Sequence, residues 1–182
     1  MVRVIGGDWK RTPVPVIPGN GLRPTPSRVR ETLFNWLEDY TDLNGAVFLD
    51  LFCGSGILGL EALSRGASSV SFVDSNKNCL DNIEKILVKL NARGRADLFH
   101  DQAFSWLEKQ GNKLYDCVFF DPPFDDSTFI DCLLKVRSVV GNESLCYIEN
   151  KQPLFSILEE FGLKCIKSSK AGAVHYGLFK IK

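Results

Sequence analysis

The sequence predicts an α/β protein built on a doubly wound, mostly parallel seven-stranded sheet. An antiparallel C-terminal hairpin strand closes it, and a short N-terminal extension of β arm plus helix precedes it. Three observations lead there. Residues 46–60, Ala-Val-Phe-Leu-Asp-Leu-Phe-Cys-Gly-Ser-Gly-Ile-Leu-Gly-Leu, join a short apolar run to a glycine loop and then to an apolar helical pattern. From residue 69 to residue 160, strand-like runs alternate with helix-length segments. Finally, Leu163 to Ser169 and Val174 to Ile181 are β-like runs separated by Lys170-Ala-Gly-Ala, as in a hairpin. The 182 residues suffice for one domain with a full core.

In chain order, residues 1–22 are rich in Gly and Pro, with short β-like pieces at Val2 to Ile5 and Val14 to Ile17. Pro13, Pro15 and Pro18 favour an extended arm. A helix follows: Thr25 suits its N-cap, Pro26 its first position, and Val29, Leu33, Trp36 and Leu37 form one apolar stripe. Arg23, Arg28 and Arg30 gather at the start of that helix, where cations oppose the macrodipole unless an anion binds. Ordinary solvated arginines are the alternative. The core strands are expected at Val47 to Leu49, 69–73, 95–99, 115–120 and 144–148. The intervening helices are expected from Ile57 to about Gly66 and over 76–91, 102–109, 127–139 and 153–160.

The glycine loop is the first chemical signal. Gly54-Ser-Gly56-Ile-Leu-Gly59 matches a dinucleotide fingerprint, so the ligand has to be argued. A pyrophosphate seeks helix N–H groups with no anion beside them, and Asp50 stands directly before the loop. S-adenosylmethionine carries a cationic sulfonium and ammonium and no phosphate, so a carboxylate at the loop favours it. Asp74 ends the next strand as a ribose-hydroxyl acceptor, which either cofactor would use. Asp101 ends the third, as an acceptor for the adenine amino group or as the N-cap of helix 102–109. The expected cofactor site comprises Asp50, Phe52, Cys53, Gly54, Ser55, Gly56, Asp74, Ser75, Asp101, Gln102 and Asp121.

The fourth strand carries the more specific signal, Asp121-Pro122-Pro123-Phe124. Two prolines fix the backbone directly after a buried strand and aim the Asp121 side chain and the Pro122 carbonyl into the crevice. An exocyclic amine is a poor nucleophile because its lone pair is delocalised into the ring. Two acceptors holding its N–H groups turn the lone pair towards an incoming methyl group, which is catalysis by orientation and charge stabilisation. Phe124 offers a face on which a base stacks. A plain strand-ending turn is the bland alternative.

Composition and charge set the context. Formal net charge is zero, yet Arg3, Lys10, Arg11, Arg23, Arg28 and Arg30 precede Glu31 with only Asp8 among them, and the last 22 residues hold five lysines and no acid. Basic ends around an acidic centre suggest an anionic macromolecular partner. Six scattered cysteines without a Cys-x-x-Cys pair point to a reduced, cytoplasmic chain, and with two histidines no metal site is expected. No apolar run is long enough to span a bilayer, and no signal peptide is expected.

These residues have a family resemblance. Asp50-Leu-Phe-Cys-Gly-Ser-Gly with Asp121-Pro-Pro-Phe resembles class I S-adenosylmethionine-dependent methyltransferases that modify exocyclic or amide nitrogens. Leu22-Arg-Pro-Thr-Pro-Ser-Arg-Val-Arg-Glu-Thr-Leu-Phe-Asn-Trp-Leu, Leu60-Glu-Ala-Leu-Ser-Arg-Gly-Ala and Ala173-Val-His-Tyr-Gly-Leu extend the resemblance over the whole chain, to the bacterial RsmD family. The resemblance implies methylation of the N2 amine of a guanine in 16S ribosomal RNA, within the small subunit or an assembly intermediate, by a monomer. It implies cofactor contacts at Asp50, Asp74 and Asp101, and a single domain, 1–182, whose residues 1–40 shape the substrate side while 41–182 form the core. Cys53, Asp74, His100 and Phe124 depart from the family's commoner residues without losing the roles expected of them. The substrate contacts are then Lys10, Arg11, Arg23, Arg28, Arg30 and Phe124. A methyltransferase for DNA adenine or protein glutamine, or a non-catalytic RNA-binding module, is the alternative.

Overall fold

The computed structural model describes residues 1–17, 24–111, 113–123, 129–153 and 155–181. A two-stranded arm, β1 (Val2–Arg3) and β2 (Pro13–Val14), precedes helix α1 (Ser27–Tyr40). The core runs β3 (Val47–Asp50), α2 (Ile57–Ser64), β4 (Ser69–Asp74), α3 (Lys77–Lys89), β5 (Ala96–His100), α4 (Ala103–Glu108) and β6 (Tyr115–Phe120). It continues through α5 (Phe129–Val136), β7 (Val140–Asn150), α6 (Phe155–Glu160), β8 (Leu163–Ala171) and β9 (Val174–Ile181). The main sheet has seven strands in the order β5-β4-β3-β6-β7-β9-β8, with β9 antiparallel to both neighbours.

That order fixes where a ligand goes. From β3 the chain winds outward through β4 and β5, then returns across the sheet to β6 and winds the other way. The crevice of such a sheet opens outside the carboxyl ends of the strands where the winding reverses, at β3 and β6. Alternation along the strands separates two cores. Phe48, Cys117, Phe119, Leu145 and Tyr147 pack with α1, α2 and α3 on one face. Leu49, Val118, Phe120, Cys146 and Ile148 pack with α4 and α5 on the other.

Several expected boundaries move for identifiable reasons. Thr25 does not cap α1; Pro26 takes that position without a side-chain hydrogen bond, and the Thr25 hydroxyl donates instead to Glu149 across the fold at 2.9 Å. β7 begins four residues before the expected strand, because Ser144 accepts from Gly141 N and donates to Tyr115 O, carrying the pairing through a register shift. Helix 127–139 is observed as Phe129–Val136, with residues 127 and 128 outside the described set. The hairpin strands extend towards each other and leave only Gly172 and Ala173 between them.

The arm is fastened by a buried acid that sequence reading passed over. Glu61 on α2 is fully buried; its carboxylate accepts from Ile5 N at 2.9 Å, Gly6 N at 2.7 Å, Arg30 Nη1 at 3.3 Å and Arg65 Nε at 3.1 Å. Four donors from three chain segments surround one side chain, which offsets the desolvation of a charge that could not remain buried alone.

Candidate active site

The glycine turn between β3 and α2 forms as expected. Gly54 and Gly56 take positive φ values of 49° and 71°, and a Cβ on Gly56 would stand 2.6 Å from the Ile83 side chain. Asp74, ending β4, clasps the turn: one oxygen accepts from Gly54 N and the other from Asn76 N, both at 2.7 Å. The Cys53 thiol is buried, and desolvation beside Asp50 and Asp74 pushes its pKa well up, so it stays a neutral, unreactive wall. Phe52 meets Phe120 edge-on at 5.4 Å, tying the turn to the end of β6. Ser55 is half-buried and Ser75 exposed.

Asp50 corrects one expectation in its detail. It is buried rather than open at the loop mouth, and its Oδ2 accepts from Gly59 N, in the first turn of α2, at 3.0 Å. Burial raises its pKa to about 7; the Gly59 hydrogen bond lowers it, and the charge of Asp74 raises it further. This N–H is one a pyrophosphate would require, and the carboxylate already holds it. A cationic ligand beside Asp50 is favoured by the same charge, so the site fits the sulfonium cofactor.

At the end of β5, Asp101 is half-buried and does not cap α4, whose cap position is Gln102. It accepts from Gln102 N at 2.8 Å and pairs with Lys109 at 2.6 Å, and that hydrogen bond to Lys109 holds its pKa below the ordinary carboxylate value.

Asp121 follows β6 and is half-buried, with Pro122 buried and Pro123 exposed; Phe124 lies outside the described residues. Burial, with Glu149 and then Asp50 nearby, pushes the Asp121 carboxyl well above the usual range. Glu149 is the site-lining residue that sequence reading missed. β7 repeats the pattern of β3, β4, β5 and β6 by bringing an acid to the carboxyl edge, and that recurrence was the available signal.

The expected cations do not gather. Arg23 lies outside the described residues, and Arg28 is exposed at the start of α1, three residues after Thr25, whose hydroxyl reaches Glu149 at the end of β7. Arg30 is only 2 % exposed: Nε donates to Thr25 O, and Nη1 to Arg3 O and to Glu61. Two residues on from Arg28, about 200° around the helix, it faces the opposite side from Arg28, so its charge serves the fold and the phosphate contact expected of it is withdrawn. Lys10 and Arg11 are exposed but belong to the arm's turn. That turn is tied to the far end of α2 through Trp9 N and Ser64 Oγ at 2.9 Å, and Trp9 sits under Arg95 where β5 begins. An eight-residue helix places them about 12 Å from the mouth, not beside it. Among the described residues, no three His, Cys, Asp or Glu side chains converge to hold a metal, and no helix is long and apolar enough to cross a membrane.

Comparison with known proteins finds likeness along nearly the whole chain. Residues 2–180 match the family model described as conserved hypothetical protein 95. The ribosomal RNA small subunit methyltransferase D of Escherichia coli strain K12 is 40 % identical over 152 residues, covering 82 % of this chain and 75 % of that protein. Its Haemophilus influenzae counterpart of the same name is 35 % identical over 183 residues, covering 98 % and 93 %. The solved structure of yhhF from Escherichia coli superposes with a TM-score of 0.83 at 34 % identity, covering 100 % of this chain and 98 % of that one.

Proposed function

The chain belongs to the ribosomal RNA small subunit methyltransferase D family, and from that premise we propose that it methylates the exocyclic N2 amine of a guanine in 16S ribosomal RNA. It is an S-adenosylmethionine-dependent methyltransferase of that RNA. Its substrate form, in this reading, is the small subunit or an assembly intermediate, and the enzyme works as a cytoplasmic monomer. Residues 1–40 make the substrate side and 41–182 the catalytic core.

The observation that carries the reading is the meeting of two strand ends at the point where the winding reverses. β3 delivers a carboxylate and a glycine turn suited to a cationic cofactor, and β6 delivers Asp121 followed by two prolines. Bound S-adenosylmethionine supplies the methyl group. Asp50, the Gly54–Gly56 turn, Asp74 and Asp101 hold it, with Phe52, Cys53, Ser55, Ser75 and Gln102 around them. Asp121 accepts an N–H of the guanine amine and Pro122 presents its carbonyl to the other, so that the nitrogen lone pair faces the methyl carbon. The proline pair has no N–H to offer and keeps the acceptor geometry rigid. Phe124 stacks on the base. Arg28 holds backbone phosphate at the mouth, and Lys10 and Arg11 meet RNA only where it runs along the α1 face to the arm.

The test is methyl transfer from labelled cofactor to small subunits and to naked 16S RNA prepared from a deletion strain, with the modified nucleotide mapped. Stoichiometric labelling of a single guanine N2 supports the proposal. Labelling elsewhere, or none with either substrate, overturns it.

A further inference from the structure

Glu149 has no part in the reading above, yet the fold invests in it. It closes the face of β7 that carries Leu145 and Tyr147, and it is only 5 % exposed. The Tyr147 hydroxyl donates to its Oε1 at 2.7 Å and the Thr25 hydroxyl donates to the same oxygen at 2.9 Å. Oε2 has no donor among the described residues. β6 and β7 run parallel with Phe119 beside Tyr147 and Phe120 beside Ile148. Two residues on from Phe119 and Tyr147, Asp121 and Glu149 therefore leave adjacent strands on the same side of the sheet, the side of α1.

We propose that Glu149 is a positioning residue for methyl transfer: anchored by Tyr147 and Thr25, it sets a second carboxylate beside Asp121 and makes Asp121 the stronger acceptor for the substrate amine. This rests on the assignment of Asp121 as the amine-holding residue. Burial raises the Glu149 carboxyl above its ordinary value, and the two hydroxyl donors on Oε1 oppose that by favouring its charged form, so Glu149 is the member of the pair that the geometry biases towards ionisation. Asp121 then loses its proton next to an existing negative charge, in a partly desolvated setting, and holds protons more tightly. The other groups facing the pair act in known directions. Asp50 on β3 adds repulsion; burial pushes the Tyr147 phenol well up, so it stays neutral, with the Tyr176 ring of β9 packed behind it; and the Arg30 guanidinium on α1 is turned to Thr25 O and Glu61.

The chemical consequence is a destination for the proton. As the amine lone pair forms the N–CH3 bond, the electrons of the breaking S–CH3 bond remain on sulfur, and the nitrogen becomes cationic. One of its protons passes to Asp121 and then to water, leaving the neutral methylamine. A carboxylate of ordinary basicity takes that proton less readily than one raised by a neighbouring charge. Thr25 stands two residues before α1, so the segment that leads into the helix of exposed Arg28 also touches the acid that tunes the reaction.

The experiment compares wild type, Glu149→Gln, Glu149→Asp and Asp121→Asn in single turnover on saturating small subunits between pH 5 and pH 9, with cofactor affinity by calorimetry and melting temperature as controls. Glutamine keeps an acceptor for both hydroxyls and loses only the charge. Glu149→Gln is expected to keep cofactor affinity and RNA KM within about twofold while its plateau rate falls about tenfold or more. Its acid limb should move to lower pH by about one unit, because Asp121 loses the repulsion that raised it. Glu149→Asp should hold the limb at the wild-type position. A folded Glu149→Gln with wild-type rate and limb overturns the inference, and an inactive Asp121→Asn alongside it shows that the broader reading still stands. An active Asp121→Asn means that the broader reading itself has failed. Carbon-13 titration of the wild-type carboxyls needs no variant: Asp121 titrating above Glu149 supports the inference, and Asp121 in the ordinary carboxylate range overturns it.

Discussion

Removing Arg30 should unfold the protein earlier without changing how it responds to salt on RNA. The Arg30→Ala substitution deletes three hydrogen bonds, to Thr25 O at 3.1 Å, Arg3 O at 2.9 Å and Glu61 at 3.3 Å, and leaves two backbone carbonyls without this donor. Burial alone lowers the Arg30 pKa, opposed by the attraction of Glu61, so the pair is a desolvated one whose halves depend on each other. Breaking such a pair from one side costs about 3–5 kcal/mol. Glu61 keeps Ile5 N, Gly6 N and Arg65 as donors, which places Arg30→Ala at the lower end. Glu61→Ala strips the partner from two amides and two guanidiniums together and belongs at the upper end. For a chain of this length the melting temperature should fall by roughly 6–20 °C. Thermal unfolding followed by circular dichroism, with hydrogen exchange at Ile5 and Gly6, reads the effect. An Arg30→Ala protein that melts with wild type would refute the reasoning and return Arg30 to the set of candidate phosphate contacts.

Other predictions concern ligands. Because Asp50 is raised to about 7, cofactor affinity should climb as pH rises from 5 to 7 and level off above, since a cation favours the ionised carboxylate. Asp50→Asn should bind more weakly at pH 8 and lose that dependence, and calorimetry across pH would reveal a wild-type slope in the variant if Asp50 is uninvolved. The same raised pKa makes the free protein bind more protons than its unfolded chain between roughly pH 4 and pH 7, so this group's contribution to stability should decline across that window. Arg28→Ala should lower RNA affinity and reduce the slope of log affinity against log salt by roughly 0.7–0.9. Paired substitution Lys10→Ala/Arg11→Ala should reduce the slope while leaving the saturated single-turnover rate unchanged; unaltered slopes in both would make these side chains a solvated face.

Much of the core was legible because local signals and tertiary demands agree there. The β3 run, the glycine turn and the helix after it could only be a strand, a tight turn and a helix, and the positive φ values at Gly54 and Gly56 show why glycine stands at both. The N-terminal region was less legible. Arg30 and Arg28 look alike in a sequence, but an arginine's role depends on which side of the helix meets Glu61, a residue 31 positions away. Lys10 and Arg11 precede the arginine helix in the chain, yet Trp9 and Ser64 fasten their turn at the opposite end of α2. Thr25 read as a cap because its local context favours one, and a partner 124 residues away claimed its hydroxyl. Glu149 was missed for the same reason: neither Tyr147 nor Thr25 announces a shared acceptor until β7 and the start of α1 are brought together.

The most direct test of the account separates binding from chemistry at one residue. Asp121→Ala should bind S-adenosylmethionine close to wild-type affinity by calorimetry and retain RNA affinity, while the single-turnover methylation rate on small subunits falls at least about 100-fold, the scale for losing a transition-state hydrogen bond. A variant that binds both ligands and methylates at the wild-type rate would contradict the claim that Asp121 holds the reacting amine.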